Sequence, residues 1–257
     1  MKAKVLSVYD EGALPETPMI GARGLAILVD VDGERTLFGT GRRGSYLMHN
    51  LDYMEVDVGT IDRVVISHMH IDHVGGLEAF LERREESIEV IVTPDAEHVK
   101  VVKLLGIPIS RTGLRNIPEE TAAKMNLRYE SRWTQLSKNL FLTATPPDGV
   151  DENMLVLMTV NGPVMLCGCC HCGPVAAMEL TETAVGRKVS GIVGGLHLVD
   201  KKKNELYAIA EMFKEKGVSS LYLNHCSGQI QKTRLRERLG LSAVGDFYVG
   251  TEIQFDV

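Results

Sequence analysis

The most informative stretch of the chain is Ser67-His68-Met69-His70-Ile71-Asp72-His73-Val74-Gly75-Gly76, which follows a short apolar run. Neutral imidazole and carboxylate groups are ligands for zinc, iron or manganese. Burying this much polarity without a metal would be costly, and histidines on apolar faces are common singly but not at this density. The stretch therefore predicts a metal site at the end of a strand.

The spacing inside this histidine cluster, which comprises His68, His70, Asp72 and His73, favours two neighbouring metal ions over one. His68 and His70 are two positions apart, so both can face the same side of an extended loop. Asp72 and His73 are adjacent and must point in different directions. The pair Gly75-Gly76 permits a tight turn and a close approach of the backbone where the next helix begins.

Two dipeptides outside the cluster predict β-hairpins. Asp32-Gly33 separates apolar runs at 25–31 and 35–38, and Asn161-Gly162 separates runs at 154–160 and 164–167. Both pairs suit turns that need positive φ angles. Antiparallel strands are therefore expected in both halves of the chain.

The remaining periodicity predicts layered α/β packing in a single domain that spans 1–257. Further strands are expected at 1–10, 63–67, 88–92, 140–144, 189–193 and 219–223. Helices are expected at 77–84, 95–105, 175–185, 204–214 and 230–239. Residues 110–137 have the weakest periodicity and are expected to form a surface excursion, of the kind that often shapes the mouth of an active site.

Composition narrows the class of protein. The net charge of -6 disfavours extended nucleic-acid binding, because the chain has no basic stripe to neutralise phosphates. Neither a signal peptide nor a membrane-spanning segment is predicted. Five cysteines, an odd number, favour reduced thiols in the cytoplasm over a secreted disulfide framework. The composition leaves open whether the chain forms a homo-oligomer.

The histidine cluster resembles the HxHxDH signature of the metallo-β-lactamase superfamily in full, at His68, His70, Asp72 and His73. The resemblance implies an αββα sandwich of two mixed sheets flanked by helices. It also implies two divalent metal ions, with Zn, Fe and Mn as the candidates. The segment Leu37-Phe38-Gly39-Thr40-Gly41 looks like an earlier strand ending of the family, but Gly39 stands where the family usually has an aspartate that orients the ligands.

Three later motifs resemble one subfamily, the dihydropterin (ribofuranosyl)aminobenzene phosphate synthase-like proteins. They are Gly168-Cys169-Cys170-His171, Gly194-Gly195-Leu196-His197-Leu198 and Asn224-His225-Cys226-Ser227-Gly228. Residues 145–149, where the family's third histidine motif would fall, contain no histidine, so His171 is expected to replace it. The resemblance implies that His68, His70 and His171 hold one ion, and that Asp72, His73 and His225 hold the other.

Two hypotheses of different classes follow. The first is a metal-dependent, hydrolase-like enzyme that acts through a metal-activated water on a small molecule, which the resemblance implies is pterin-like or phosphorylated. Asp72 would orient the nucleophile, and His197 would bind substrate or donate a proton. The second is a metal-binding sensor or regulatory protein without turnover, favoured by Gly39 and the missing histidine. A thioester or lactone hydrolase and a phosphodiesterase of the same fold are enzymatic alternatives.

The cysteines between 167 and 172 are too tightly spaced to form a tetrahedral zinc site among themselves. Cys167 alternates into a strand and is expected in the core. Cys169 could approach the metals as a thiolate, whereas Cys170 and Cys172 either pack or take part in redox chemistry.

Overall fold

The structure is a computed structural model that describes residues 1–97, 101–104, 107–111, 114, 117–144 and 150–257. Its strands are β1 Lys2–Tyr9, β2 Ala26–Val31, β3 Glu34–Phe38, β4 Arg63–Val65, β5 Ile88–Val92, β6 Val101–Leu104, β7 Ile107–Arg111, β8 Met125–Tyr129, β9 Thr134–Gln135, β10 Leu140–Ala144, β11 Asn153–Thr159, β12 Gly162–Cys167, β13 Gly191–Gly194, β14 Ser220–Leu223, β15 Val244–Asp246 and β16 Glu252–Asp256. Its helices are α1 Gly44–Tyr53, α2 Ile71–Val74, α3 Leu77–Glu82, α4 Glu119–Ala122, α5 Pro174–Val185, α6 Lys203–Lys216 and α7 Gln229–Leu239.

Two mixed sheets of seven strands each form the framework. The first sheet has the order β16-β1-β2-β3-β4-β5-β8, and the second has the order β15-β14-β13-β12-β11-β10-β9. In the first sheet β3, β4, β5 and β8 are parallel, and in the second β12 to β15 are parallel. Strands β6 and β7 form a separate antiparallel pair. The prediction of two mixed sheets flanked by helices is confirmed.

The chain forms two compact units. The first unit comprises residues 4–131 and 248–253, and the second comprises residues 1–3, 132–247 and 254–257. The core of the first unit joins sheet residues such as Leu37 and Val64 to helix residues such as Leu47 and Phe80, all of them fully buried. Burial of this apolar surface is what fixes α1 and α3 against their sheet.

The core of the second unit is built in the same manner. Met165 and Ile192 of the second sheet lie fully buried with Ala177 of α5, Phe213 of α6 and Leu235 of α7. Helix α5 starts with Pro174, which has no N–H to leave unsatisfied in a first turn. It ends at Gly186, whose φ of 66° is the left-handed conformation that glycine favours at a helix terminus.

Several predicted elements are confirmed in place. Asp32 and Gly33 have φ angles of 59° and 82°, as the turn between β2 and β3 requires. The second predicted hairpin joins β11 to β12, with Thr159 opposite Gly162. Cys167 is fully buried in the core of the second unit, as expected. The five cysteines are all free thiols.

The helix predicted at 95–105 is wrong over the described residues. A short 3-10 turn at Pro94–Glu97 is followed by β6, which pairs with β7. Val101 and Val102 are β-branched, and such side chains favour a strand over a helix when a partner strand is available. The segment 145–149, where the third histidine motif of the family would fall, lies outside the described residues.

Residues 110–137 contain more regular structure than their weak periodicity indicated. Within this segment β8 pairs in parallel with β5 at the edge of the first sheet, and β9 pairs with β10.

Among the helices of the described residues, none is long and apolar enough to cross a membrane.

Candidate metal centre

The histidine cluster lies just beyond the carboxyl end of β4, in the first unit. Strands β3, β4 and β5 run parallel there, so the segments that follow them leave the sheet at the same edge. His68 and His73 are fully buried, and Asp72 is 7% exposed. The short helix α2 begins just after His70, whose backbone is extended, and it carries Asp72 and His73. The sequence therefore brings these side chains together within one loop and one helical turn.

Ser67 holds two of the three imidazoles. Its Oγ lies 3.1 Å from Nδ1 of His68 and 3.3 Å from Nδ1 of His73. A hydroxyl oxygen has two lone pairs and can accept from both Nδ1–H groups. In that arrangement each Nε2 carries a lone pair, which is the form of histidine that binds a metal.

The other members of the cluster converge on the same imidazoles. Nε2 of His68 lies 3.0 Å from Nδ1 of His70, and the ring centroids of His68 and His73 are 4.1 Å apart. Arg23 donates from Nε to Oδ2 of Asp72 over 3.2 Å. The spacing of the His68 and His70 nitrogens is that of two ligand atoms on one metal ion. Metal–nitrogen bonds of about 2.0–2.1 Å bring ligand atoms within a few ångströms of one another.

Gly39 cannot be replaced by the family's usual aspartate without a shift of the backbone. Its φ is +77°, and a Cβ built there would lie 2.5 Å from the backbone oxygen of Leu25. The neighbouring Thr40 instead donates from both its N–H and its hydroxyl to the backbone oxygen of His73, over 2.7 Å and 3.0 Å. In this chain the cluster is positioned by Ser67, Thr40 and Arg23.

The second unit carries its own cluster of metal-ligating side chains. Strands β12, β13 and β14 are parallel neighbours, so the segments after their carboxyl ends meet at one edge of the second sheet. These segments hold Cys169, His171, His197, His225 and Cys226, which together are called the cysteine–histidine cluster.

Glu152 organises the first of these segments. Its carboxylate is fully buried and accepts from the N–H groups of Cys169, Cys170 and His171 over 2.7, 2.9 and 2.8 Å. Burial raises the pKa of this carboxyl group, although the three donors act in the opposite direction. Glu152 therefore fixes the backbone at both Cys169 and His171.

The thiols of Cys169 and Cys226 lie next to imidazoles. Sγ of Cys169 is 3.4 Å from Nε2 of His225, and the N–H of His197 donates to Sγ of Cys226 over 3.2 Å. The ligand atoms of Cys169, His197 and Cys226 all lie within 4.8 Å of one another. The rings of His171 and His197 lie in contact, with centroids 4.7 Å apart and planes tilted by 42°.

Neighbouring side chains shift the pKa values of Cys226 and His197 in opposite directions. Burial raises the pKa of Cys226, but hydrogen bonds with Cys169 and His197 and the charge of His225 outweigh it and bring this pKa well below 9.0. The hydrogen bond with Cys226 raises the pKa of His197 above 6.5, against the effect of burial.

A buried lysine supports the segment that carries His225. Lys232 of α7 has a fully buried side chain, and its Nζ donates to Oδ1 of Asn224 over 2.9 Å and to Oδ1 of Asp246 over 2.6 Å. Asn224 immediately precedes His225. Arg236 also pairs with Asp246, over 3.1 Å.

The sequence of residues 21–168 matches the model of the metallo-beta-lactamase superfamily. The match covers more than half of the chain and contains the whole histidine cluster. The chain belongs to the metallo-beta-lactamase superfamily.

Individual proteins agree with this assignment. A relative from Methanocaldococcus jannaschii, 7,8-dihydropterin-6-methyl-4-(beta-D-ribofuranosyl)-aminobenzene-5'-phosphate synthase, is 23% identical over 88% of this chain and 87% of its own length. The solved structure of a metal-dependent hydrolase of the beta-lactamase superfamily has a TM-score of 0.81 at 23% identity and covers 98% of both chains. A metallo-beta-lactamase fold protein from Bacillus subtilis has a TM-score of 0.67 at 13% identity, over 99% of this chain and 100% of its own. The metallo-β-lactamase fold and the family resemblance predicted from the sequence are confirmed.

The structure shows further residues at the two clusters that the sequence alone did not point to. Ser67 precedes His68 and Cys226 follows His225, but the sequence indicated no role for either residue. Glu152, Lys232 and Arg23 were not singled out, because each acts on residues far along the chain. Glu152, for example, is 17 residues before the first N–H group that it accepts from.

Proposed function

We propose that this chain is a metal-dependent, hydrolase-like enzyme that acts on a small molecule, either pterin-like or phosphorylated. The observation that carries the proposal is the arrangement of His68 and His73 around Ser67, inside the region that matches the superfamily. It prepares buried imidazoles for metal binding, which a packing role alone would not require.

The donor set fits the divalent metals that the superfamily implies. The two nitrogens of His68 and His70 are 3.0 Å apart, and Asp72 offers a carboxylate that is almost completely buried. Imidazole and carboxylate together suit zinc, iron and manganese. His68, His70 and His171 would hold one ion, and Asp72, His73 and His225 would hold the other.

Such ions would supply Lewis acidity, which lowers the pKa of a water molecule and polarises a carbonyl or phosphoryl oxygen of the substrate. The protein's own groups do the positioning. Arg23 donates to Oδ2 of Asp72 and positions this carboxylate, which would orient the attacking water through a hydrogen bond. His197 has an exposed imidazole and would donate a proton to the leaving group.

The relative from Methanocaldococcus jannaschii favours one second candidate, a synthase. The name of that protein describes a product that combines a dihydropterin with a ribofuranosylaminobenzene phosphate. The same metal ions and the same positioning groups would serve a reaction in which two substrates are joined. The two candidates share a substrate class but differ in whether water is consumed.

Mass spectrometry of the reaction distinguishes them. Purified protein reconstituted with Zn, Fe(II) or Mn would be incubated with phosphate esters, pterin derivatives, and a dihydropterin together with a ribofuranosylaminobenzene phosphate. Incorporation of ¹⁸O from labelled water into a product supports hydrolysis, and a product that contains both substrates supports the synthase. His68→Ala abolishes either activity, with Ser7→Ala as a matched control. Bound metal with no activity towards any substrate would instead favour a sensor.

A further inference from the structure

We propose that Cys169, His197 and Cys226 form a second kind of metal site in this chain, a Cys2His site for a thiophilic ion such as zinc. This inference goes beyond the proposed function and uses none of the six residues assigned there to the two ions. It shares His197 with that function, and an imidazole that binds the new ion would not also be the proton donor. The site gives Cys169 and Cys226 a role that the hydrolase-like mechanism does not use.

The geometry of the three donors supports the site. Their ligand atoms lie within 4.8 Å of one another. In a tetrahedral zinc site, bonds of about 2.3 Å to sulfur and about 2.0–2.1 Å to nitrogen place ligand atoms roughly 3.3–3.8 Å apart. Small side-chain rotations would therefore bring the donors onto one ion. Two thiolates and one imidazole are a soft set, which selects zinc over magnesium or calcium.

Hydrogen bonds position the sulfur atom of Cys226 and the backbones of both cysteines. The N–H of His197 donates to Sγ of Cys226 over 3.2 Å, an interaction that stabilises the negative charge of a metal-bound thiolate. The N–H of Leu198 donates to the backbone oxygen of Cys226 over 3.1 Å, which ties the segment after β13 to the segment after β14. Glu152 holds the backbone N–H of Cys169.

The backbone around the donors is strained. His197 has a φ of 47°, and the flanking residues Cys170 and His225 have φ values of 56° and 52°. Positive φ angles at residues other than glycine cost free energy, and they cluster at functional sites where the surrounding structure enforces them. Here the strain falls on the three segments that converge at this edge of the second sheet.

The site is expected to keep one open position. Cys169 is buried and Cys226 is partly buried, whereas His197 is exposed. Three protein ligands with a fourth position open to solvent are typical of catalytic zinc sites, whereas structural zinc sites have four protein ligands. The fourth position would therefore bind water or a small ligand.

Cobalt(II) is the probe that tests the site. Full-length protein is stripped of metal under reducing, anaerobic conditions and titrated with Co(II), then with Zn(II). Thiolate ligands give a near-ultraviolet charge-transfer absorption that histidine and carboxylate ligands do not. We expect this band in the wild type, its displacement by zinc, and its loss or marked weakening in Cys169→Ser and in Cys226→Ser. Cys172→Ser, which removes a neighbouring thiol outside the site, keeps the band.

Alkylation of the wild type covers the case in which a serine variant does not fold. Zinc is expected to protect Cys169 and Cys226 from iodoacetamide, as mapped by mass spectrometry, while Cys172 stays reactive. Absence of the band, its equal loss in Cys172→Ser, or alkylation of Cys226 unaffected by zinc would overturn the proposal.

The same experiment separates this proposal from the proposed function. His68→Ala keeps the charge-transfer band if the Cys2His site is independent, even though it abolishes activity. A band that persists in an enzyme whose activity is indifferent to His68→Ala would refute only the proposed function. Activity that depends on His68 in a protein without the band would refute only the Cys2His site.

Discussion

Ser67→Ala is the substitution that most sharply tests how the histidine cluster is prepared for metal. It removes one oxygen that lies 3.1 Å from Nδ1 of His68 and 3.3 Å from Nδ1 of His73, and it leaves every proposed ligand in place. Both imidazoles then lose the partner that fixes their tautomer and their ring orientation. Loss of such an outer partner typically weakens metal binding by about 10–100-fold, which corresponds to about 1.4–2.8 kcal/mol.

The assay is competition with a chromophoric chelator for Zn(II) or Mn(II), together with a thermal melt of the metal-free protein. Ser7→Ala is the matched control: Ser7 lies in the same unit, is 1% exposed, and its hydroxyl has no hydrogen-bond partner among the described residues. We expect Ser67→Ala to bind metal about 10–100-fold more weakly and Ser7→Ala to match the wild type. Metal affinity unchanged in a folded Ser67→Ala protein would refute the argument that this hydroxyl orients the ligands.

Three further predictions concern the support around the two clusters. Gly39→Ala destabilises the fold by several kcal/mol in chemical denaturation, because its Cβ would meet the oxygen of Leu25 at 2.5 Å; Gly33→Ala, at a positive φ with open space around it, costs only about 1–2 kcal/mol. Equal losses in the two variants would contradict the steric argument. Lys232→Met leaves Asn224 and Asp246 without their buried partner and lowers the free energy of unfolding by about 2–4 kcal/mol, measured by urea titration; a change near zero would show that Arg236 compensates. Burial raises the pKa of Asp246, but the hydrogen bonds and charges of Lys232 and Arg236 outweigh burial and bring this pKa below 3.8. The ionised Asp246 therefore stabilises the fold above pH 3.8, and this stabilisation is lost as the pH falls through the lowered pKa. The stability advantage of the wild type over Asp246→Asn should accordingly shrink on acidification, and an advantage that grows would contradict the assigned ion pairs.

The parts of the fold that sequence patterns predicted are those with strong local causes. Asp32-Gly33 specifies its turn because both positions need positive φ angles. Helix α5 was predictable from its apolar periodicity after Pro174. By contrast, β8 lies at the edge of its sheet with no residue fully buried, so no alternation of apolar and polar residues marks it. The segment 101–104 was misassigned because a short apolar run fits either a helix or a strand until its pairing partner is known.

The candidate site likewise contains some residues that the sequence predicted and others that it did not. The proposed ligands His68, His70, Asp72 and His73 could be picked out from the sequence because they are nearly contiguous and their chemistry is unusual at that density. The groups that orient them could not, because a serine or a threonine near a histidine has no distinctive spacing. The role of Glu152 depends on the packing of β11 beside β12, which brings its carboxylate to N–H groups up to 19 residues away. Tertiary contacts of this kind leave no local pattern in the sequence.

The central proposal is that the two ligand sets named under the proposed function each hold one metal ion. Anomalous diffraction at the metal absorption edge, from crystals of metal-reconstituted protein, tests it most directly. We predict two anomalous peaks, one bonded to His68, His70 and His171 and the other to Asp72, His73 and His225. Metal ions bound to the histidine cluster with neither His171 nor His225 among their ligands would contradict the claim.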